Sequence, residues 1–232
     1  MADVDWNFQL AEQLDWHWRE YLRPRLDGLT DAEYRWEPVA CAWNVRPRGT
    51  GTAQVQAGAG EFVIDLAMAE PDPPPVTTIA WRLGHLIVDV LGARTAWHFD
   101  GPRVEYQTHR YPGDAATALD QLDTAYAAWI GGVRGLGPDG LARACGPAEG
   151  RWAQAPMAEL VLHINREMLH HGAEIALLRD LIPMALRRRD HERGLTMYTK
   201  VQAGASMACQ VDDGRGSAVV MRDPEGNEFC VV

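Results

Sequence analysis

The feature that most constrains this chain is a helical apolar period that returns in four separate stretches, residues 5–26, 77–98, 114–135 and 156–182. In the first, Trp6, Leu10, Leu14, His17, Trp18 and Leu22 recur at three- and four-residue spacings. In the second, Ile79, Leu83, Ile87, Val90 and Leu91 form a stripe. Residues so spaced share one face of an α-helix, and that face must be buried against a neighbour. The third stretch is rich in Ala and Leu and opens at Asp114, a good N-cap residue. Pro156 suits the first turn of the fourth, and Pro183 predicts its end. Thr30-Asp31-Ala32-Glu33 has capping-box spacing and predicts a short helical turn before Trp36-Glu37-Pro38. Four long helices with a long first crossover predict a mainly α protein built on a four-helix bundle.

Between the first two helices, residues 38–76 are dense in glycine and proline. They read as a long loop with one short extended run at Phe62-Val63-Ile64. A loop of that length inside a domain is more often functional than decorative. After residue 182 the pattern changes. Arg187-Arg188-Arg189-Asp190 reads as a charged link, followed by β-like runs at Thr196–Thr199, Ser217–Met221 and Phe229–Val232. Asp212-Asp213-Gly214 and Asp223-Pro224-Glu225-Gly226-Asn227 are turn signals between them. The expected organisation is a helical domain over 1–182 and a small β-rich appendage over 183–232. The appendage is too short to hold much core alone, so it must pack on the helices or on a second chain. A homodimer is therefore expected.

Charge excludes some functions. Asp and Glu number 32 against 22 Lys and Arg, a formal net charge of −10. An acidic surface repels phosphate backbones, and nucleic acid is not an expected partner. The most apolar stretch, 78–97, carries Arg82, His85, Asp89 and Arg94, so no membrane span is expected. The N-terminus lacks the pattern of a secretory signal, which places the chain in the cytoplasm. Cys41, Cys145, Cys209 and Cys230 are scattered without a Cys-x-x-Cys pair, so they read as reduced thiols. The nine tryptophans are expected to fill the core or line a pocket.

The chemistry concentrates in the fourth helical stretch, His163-Ile164-Asn165-Arg166-Glu167-Met168-Leu169-His170-His171-Gly172-Ala173-Glu174. Glu167 and His171 stand one turn apart, and an i, i+4 pair can chelate one metal ion. His163 and Glu174 lie close to the same face. Burying such groups unpaired would cost several kcal/mol each, on the order of 2–7. A third ligand should come from a facing helix, and His85 in the apolar second stretch is the natural candidate. Imidazole and carboxylate together suit zinc, nickel, iron or manganese. The alternatives are hydrogen-bonded core histidines or a salt-bridged surface.

At these residues the chain resembles a family. Trp81 to Gly92, with His85, resembles the second-helix motif of the DinB-like superfamily of four-helix bundles. His163 to Leu181 is similar to its last-helix motif, in which a ligand precedes a His by four residues and a run ending Leu177-Leu178-Arg179 follows. Glu33–Pro38 and Ala42–Arg46 also resemble it, and the likeness extends over residues 5–182. It implies an up-down-down-up bundle with a divalent metal on His85, Glu167 and His171. His170 is the alternative to His171. Many members use three histidines. Glu at the middle position is similar to the mycothiol-dependent maleylpyruvate isomerases, which implies a low-molecular-weight thiol such as mycothiol as a second cofactor. Val219 to Phe229 resembles the closing strand pair of a glyoxalase-like domain. The metal-binding Glu of that family is replaced here by Cys230, so the tail is expected to be structural.

The resulting expectation is a metal-dependent S-transferase or isomerase acting on a small molecule. Three protein ligands leave an open coordination position, and metal binding of a thiol there generates a thiolate near neutral pH. His163, His170 and Glu174 are candidates either to orient the metal ligands from behind or to act as acid and base. His17, lying among tryptophans, is read mainly as a packing residue. Arg82 and Arg166 are candidates to bind a substrate or cofactor carboxylate, or else to form salt bridges. The alternative is a non-catalytic metal- or small-ligand-binding stress-response protein.

Overall fold

Three of the four long helices start where a side chain replaces a missing backbone partner. Helix α1 opens at Asp5, whose carboxylate accepts from Phe8 N; it is regular over Trp6–His17, widens to π geometry over Trp18–Leu22 and closes over Arg23–Arg25. The short α2 (Asp31–Tyr34) carries the complete Thr30–Glu33 capping box. Helix α3 opens at Thr78, whose Oγ1 accepts from Trp81 N. It is regular over Ile79–His85, turns to π geometry over Leu86–Ala93 and returns to α over Arg94–His98. Helix α4 (Ala115–Arg134) is capped by Asp114, and a short α5 (Gly137–Ala142) and a 3-10 turn (Pro147–Trp152) lead to α6 (Met157–Tyr198). This computed structural model describes residues 4–198 apart from 52 and 70, together with 206–212, 217–222 and 228–231; side chains are described up to residue 182.

The protein is mainly helical, and side-chain bonds set the helix directions. Asn7 Nδ2 donates to Arg134 O, and the Arg23 guanidinium grips both oxygens of Asp123, so α1 and α4 run antiparallel. Asn165 Nδ2 donates to Leu10 O and Arg179 Nη1 to Arg25 O, so α1 and α6 run parallel. The contacts Arg82–Glu174 and His85–His171 place α3 antiparallel to α6. The apolar stripe of α3 is buried as expected: Ile79, Leu83 and Leu91 are fully covered. So are Ala80, Leu86 and Val88 off the stripe, because α3 is surrounded. On the stripe of α1, Leu14, Trp18 and Leu22 are buried and Trp6 at its start is exposed, as are Phe8, Trp16 and Tyr21 off the stripe. Of the tryptophans, Trp129 and Trp18 fill the core, the latter stacked on Tyr126 at 4.0 Å.

Three expectations need correction. The stretch 38–76 is not simply a loop. It forms a three-stranded antiparallel sheet in the order β1–β3–β2, with β1 at Val45–Pro47, β2 at Val55–Ala57 and β3 at Phe62–Leu66. Its strands are too short for a visible alternation, and only β3, with Val63 and Ile64 buried, carries an apolar signal. The sheet is held by the buried Asp65, which accepts from Asn44 N, Arg46 Nε and Gln56 Nε2. Second, Pro183 does not end the last helix. Helical backbone continues through it, through the supposed charged link and through Thr196–Tyr198. Proline removes one hydrogen bond, but Ala185, Leu186 and the arginines after it are strong helix formers. Third, the C-terminal sheet has a strand that the sequence reading omitted. β4 (Ser206–Asp212) pairs with β5 (Ser217–Arg222), which pairs with β6 (Glu228–Val231), all antiparallel. The expected strands at Ser217 and Phe229 are present, whereas residues 213–216 and 223–227 with their turn signals lie outside the described residues. Contacts divide the chain into two units, Met1–Arg179 and Asp180–Val232. No helix among the described residues is long and apolar enough to cross a membrane.

Candidate metal centre

The N-terminal half of α3 is braced by the small sheet. Trp81 Nε1 donates to Asp65 O at 2.7 Å, and Thr78 Oγ1 donates to Asn44 Oδ1 at 2.8 Å. Gly84 lets this contact close: a Cβ there would sit 3.0 Å from Ile64 Cδ1 and 3.2 Å from Tyr111 Cε1. The next residue is His85, stacked on Trp81 at 5.4 Å and meeting the His171 ring edge-on at 5.0 Å.

His85, Glu167 and His171 converge. One ligand atom from each lies within 4.8 Å of the other two, so the group could hold a metal ion. His171 Nε2 is 3.4 Å from Glu167 Oε2. The far nitrogen of each ring is already engaged. His85 Nδ1 is 2.7 Å from Tyr106 Oη, and His171 Nδ1 is 2.7 Å from Glu174 Oε2. That leaves Nε2 of both rings as the nitrogen available to an ion, with the ring orientations set from behind. Burial, and then the neighbouring His171, push the His85 pKa well below the ordinary imidazole value. A neutral imidazole is the form a metal ion requires. The donor set therefore fits a divalent cation: two imidazoles and one carboxylate, from two facing helices.

The other candidate residues take different places. Glu174 is bonded to His171 Nδ1 and also receives Arg82 Nη1. Arg82 is thus spent on Glu174, half-buried beside it, rather than free for a ligand carboxylate. His170 is 64% exposed, with Nε2 3.4 Å from Glu174 Oε1, whereas the His171 side chain is 13% exposed. His170, His171 and Glu174 form a second group close enough for an ion, but on the outer side of the helix. His163 lies one turn before Glu167, its Nδ1 3.6 Å from Glu167 Oε1 and 2.8 Å from Arg166 Nη2. Arg166 is exposed. His17 stacks on Tyr21 and is not in the cluster; its Nε2 is buried without a hydrogen-bond partner, and burial lowers its pKa.

Tyr106 escaped the sequence reading. It sits in the irregular connection between α3 and α4, 21 residues from His85, where no periodicity marks a buried residue. Burial raises its phenol pKa far above neutral, so it stays protonated beside the imidazole.

Compared with models of protein families, residues 13–175 match the DinB superfamily, and residues 184–232 match a glyoxalase-like domain. Neither a curated protein nor a solved structure matches the chain.

Proposed function

Because the chain belongs to the DinB superfamily, we propose that it is a metal-dependent enzyme that transfers or isomerises a small thiol-reactive molecule, with His85, Glu167 and His171 holding the ion. The observation that carries this reading is the convergence of three ligand atoms within 4.8 Å, each imidazole being oriented through its far nitrogen. Oriented, half-buried ligands and only three of them describe a site with room for a reactant. The helix directions given above support an up-down-down-up four-helix bundle for residues 1–182, with the ligands on two of its long helices. The tail over 183–232 is read as a structural appendage.

A divalent ion bound there supplies Lewis acidity that lowers the pKa of a thiol or of water in the remaining position. The protein's own groups do the rest. Tyr106 and Glu174 hold the rings in register. Trp81 and the sheet behind it keep water from the apolar side of His85. His163, between Glu167 and the solvent-facing Arg166, is placed to move a proton to or from the reactant. Zinc, nickel, iron and manganese all suit the donor set, and mycothiol is the thiol suggested by the Glu–His pairing. A homodimer is proposed on the exposed Trp6, Phe8 and Trp16 of α1.

The test is metal content by mass spectrometry on protein purified without tag or chelator, set against a His85→Ala, His171→Ala double variant. Near-stoichiometric metal in the wild type, lost in the folded variant, is the expected result. A wild type that neither carries nor takes up zinc, nickel, iron or manganese would overturn the reading.

A further inference from the structure

A cavity of about 520 Å³ opens between the 3-10 turn and the first turns of α6, away from the three metal ligands. Its wall carries three guanidinium groups, Arg94, Arg151 and Arg166, against two carboxylates, Glu149 and Glu159. On a chain of net charge −10, this is a local inversion of sign. Arg94 is anchored by Asp89, and Glu149 by His98 at 2.9 Å, so that pair is internally balanced. Arg151 and Arg166 are not. Arg151 Cζ lies over the Trp152 ring, 5.0 Å from its centroid, and Arg166 contacts only the ring nitrogen of His163 among the described residues. Neither has a carboxylate within ion-pair distance there, although carboxylates are in excess. The cavity also lies against the N-terminal turns of α6, where the helix dipole favours negative charge. Burial and nearby Glu149 raise the pKa of Cys145 in the same wall, so the thiol adds no competing anion. The remaining lining is apolar, chiefly Trp152, Leu160 and Leu162.

We propose that this cavity binds a small organic carboxylate, its anionic end on Arg151 and Arg166 and its apolar body against Trp152 and Leu160. Guanidinium forks match a planar carboxylate in two parallel hydrogen bonds, and an apolar wall selects against small inorganic anions. His163 joins the cavity to the metal centre: it lines the one and its Nδ1 is 3.6 Å from Glu167. A carboxylate held here would therefore be a substrate for that centre. Only this last step rests on the metal-centre reading; the binding itself does not need the ion.

The experiment is calorimetric titration of the full-length protein with benzoate, with benzamide as a neutral isostere and inorganic phosphate as a second anion. Benzoate should bind at least about tenfold more tightly than either comparator, a difference of about 1.4 kcal/mol. Its affinity should fall as sodium chloride is raised. Arg151→Gln with Arg166→Gln, both at exposed positions that leave the core untouched, should abolish benzoate binding while metal content is retained. His171→Ala should lose metal and keep benzoate. Absence of benzoate binding, equal binding of benzamide, or unchanged affinity in the folded double variant would each overturn the proposal. Preferential binding of phosphate would also overturn it, in favour of an inorganic-anion site. Benzoate binding without metal uptake would sink the metal-centre reading alone.

Discussion

Tyr106→Phe removes one oxygen and leaves the ring that packs beside His85. In the wild type the phenol is 2.7 Å from His85 Nδ1, at a half-buried contact. Losing it has two consequences. The half-buried Nδ1 is left without a partner, which costs on the order of 1–3 kcal/mol. The ring is also no longer held in the tautomer that presents Nε2 to the ion. Outer hydrogen bonds of this kind are worth about 10–100-fold in metal affinity, or roughly 1.4–2.7 kcal/mol. The first cost falls on the fold with or without the ion and the second on metal binding, so Tyr106→Phe should weaken metal binding by one to two orders of magnitude. The assay is competition against a chromophoric chelator, with circular dichroism to show that the fold is intact. If the affinity stays within about twofold of wild type while His85→Ala loses the ion, the phenol does not orient the imidazole and the reasoning fails.

Other expectations follow from the same contacts. The Glu149 carboxyl is held below its ordinary pKa, first by the His98 hydrogen bond and then by Arg94. A carboxyl depressed on folding stabilises above its unfolded pKa of 4.5 and loses that contribution as pH falls through the folded value. Glu149→Gln should therefore lower the melting temperature at pH 7 and make little difference well below pH 4.5; an equal loss at both pH values would refute this. Gly132→Ala places a Cβ 2.3 Å from the Phe99 ring, which itself packs on Trp129. Overpacking costs about 1–3 kcal/mol, more than the gain of roughly 0.8–1 kcal/mol in helix propensity. Chemical denaturation should therefore show net destabilisation, and a more stable variant would mean that Phe99 swings away freely. Thr30→Ala loses the capping box of α2 and should cost about 0.5–2 kcal/mol by the same measurement, while Thr30→Ser should be nearly neutral.

The long helices were legible because their apolar period is long and their caps are local. Asp114, Thr30 and the Ile79–Leu91 stripe all act through residues a few positions away. The pair Glu167 and His171 was legible for the same reason, one turn apart on one helix. What escaped depends on distant partners. Strands of three residues such as Val45–Pro47 and Val55–Ala57 exist because β3 lies between them and Asp65 ties them together. Tyr106 matters only because the fold returns it to His85 across 21 residues. For Arg82 and Glu174 the sequence left two roles open, and only the fold chooses between them: the two side chains face each other and the back of His171. Pro183 misled because a local breaker was weighed without the helix formers that follow it.

The π stretch Leu86–Ala93 begins on the residue after His85 and ends on the residue before Arg94. Such a stretch behaves as an extra residue wound into the ladder of hydrogen bonds. It therefore acts as a phase setting between two workplaces on one rod, the imidazole at one end and the guanidinium and His98 at the other. Deleting one residue from a regular α segment would turn everything beyond it by about 100° relative to His85, whereas a deletion within the π stretch removes the extra residue and keeps the two ends nearly in phase. A library of single-residue deletions along α3 should accordingly be best tolerated between 86 and 93, where the ladder absorbs the loss by returning to α geometry, and least tolerated in the regular segment around His85.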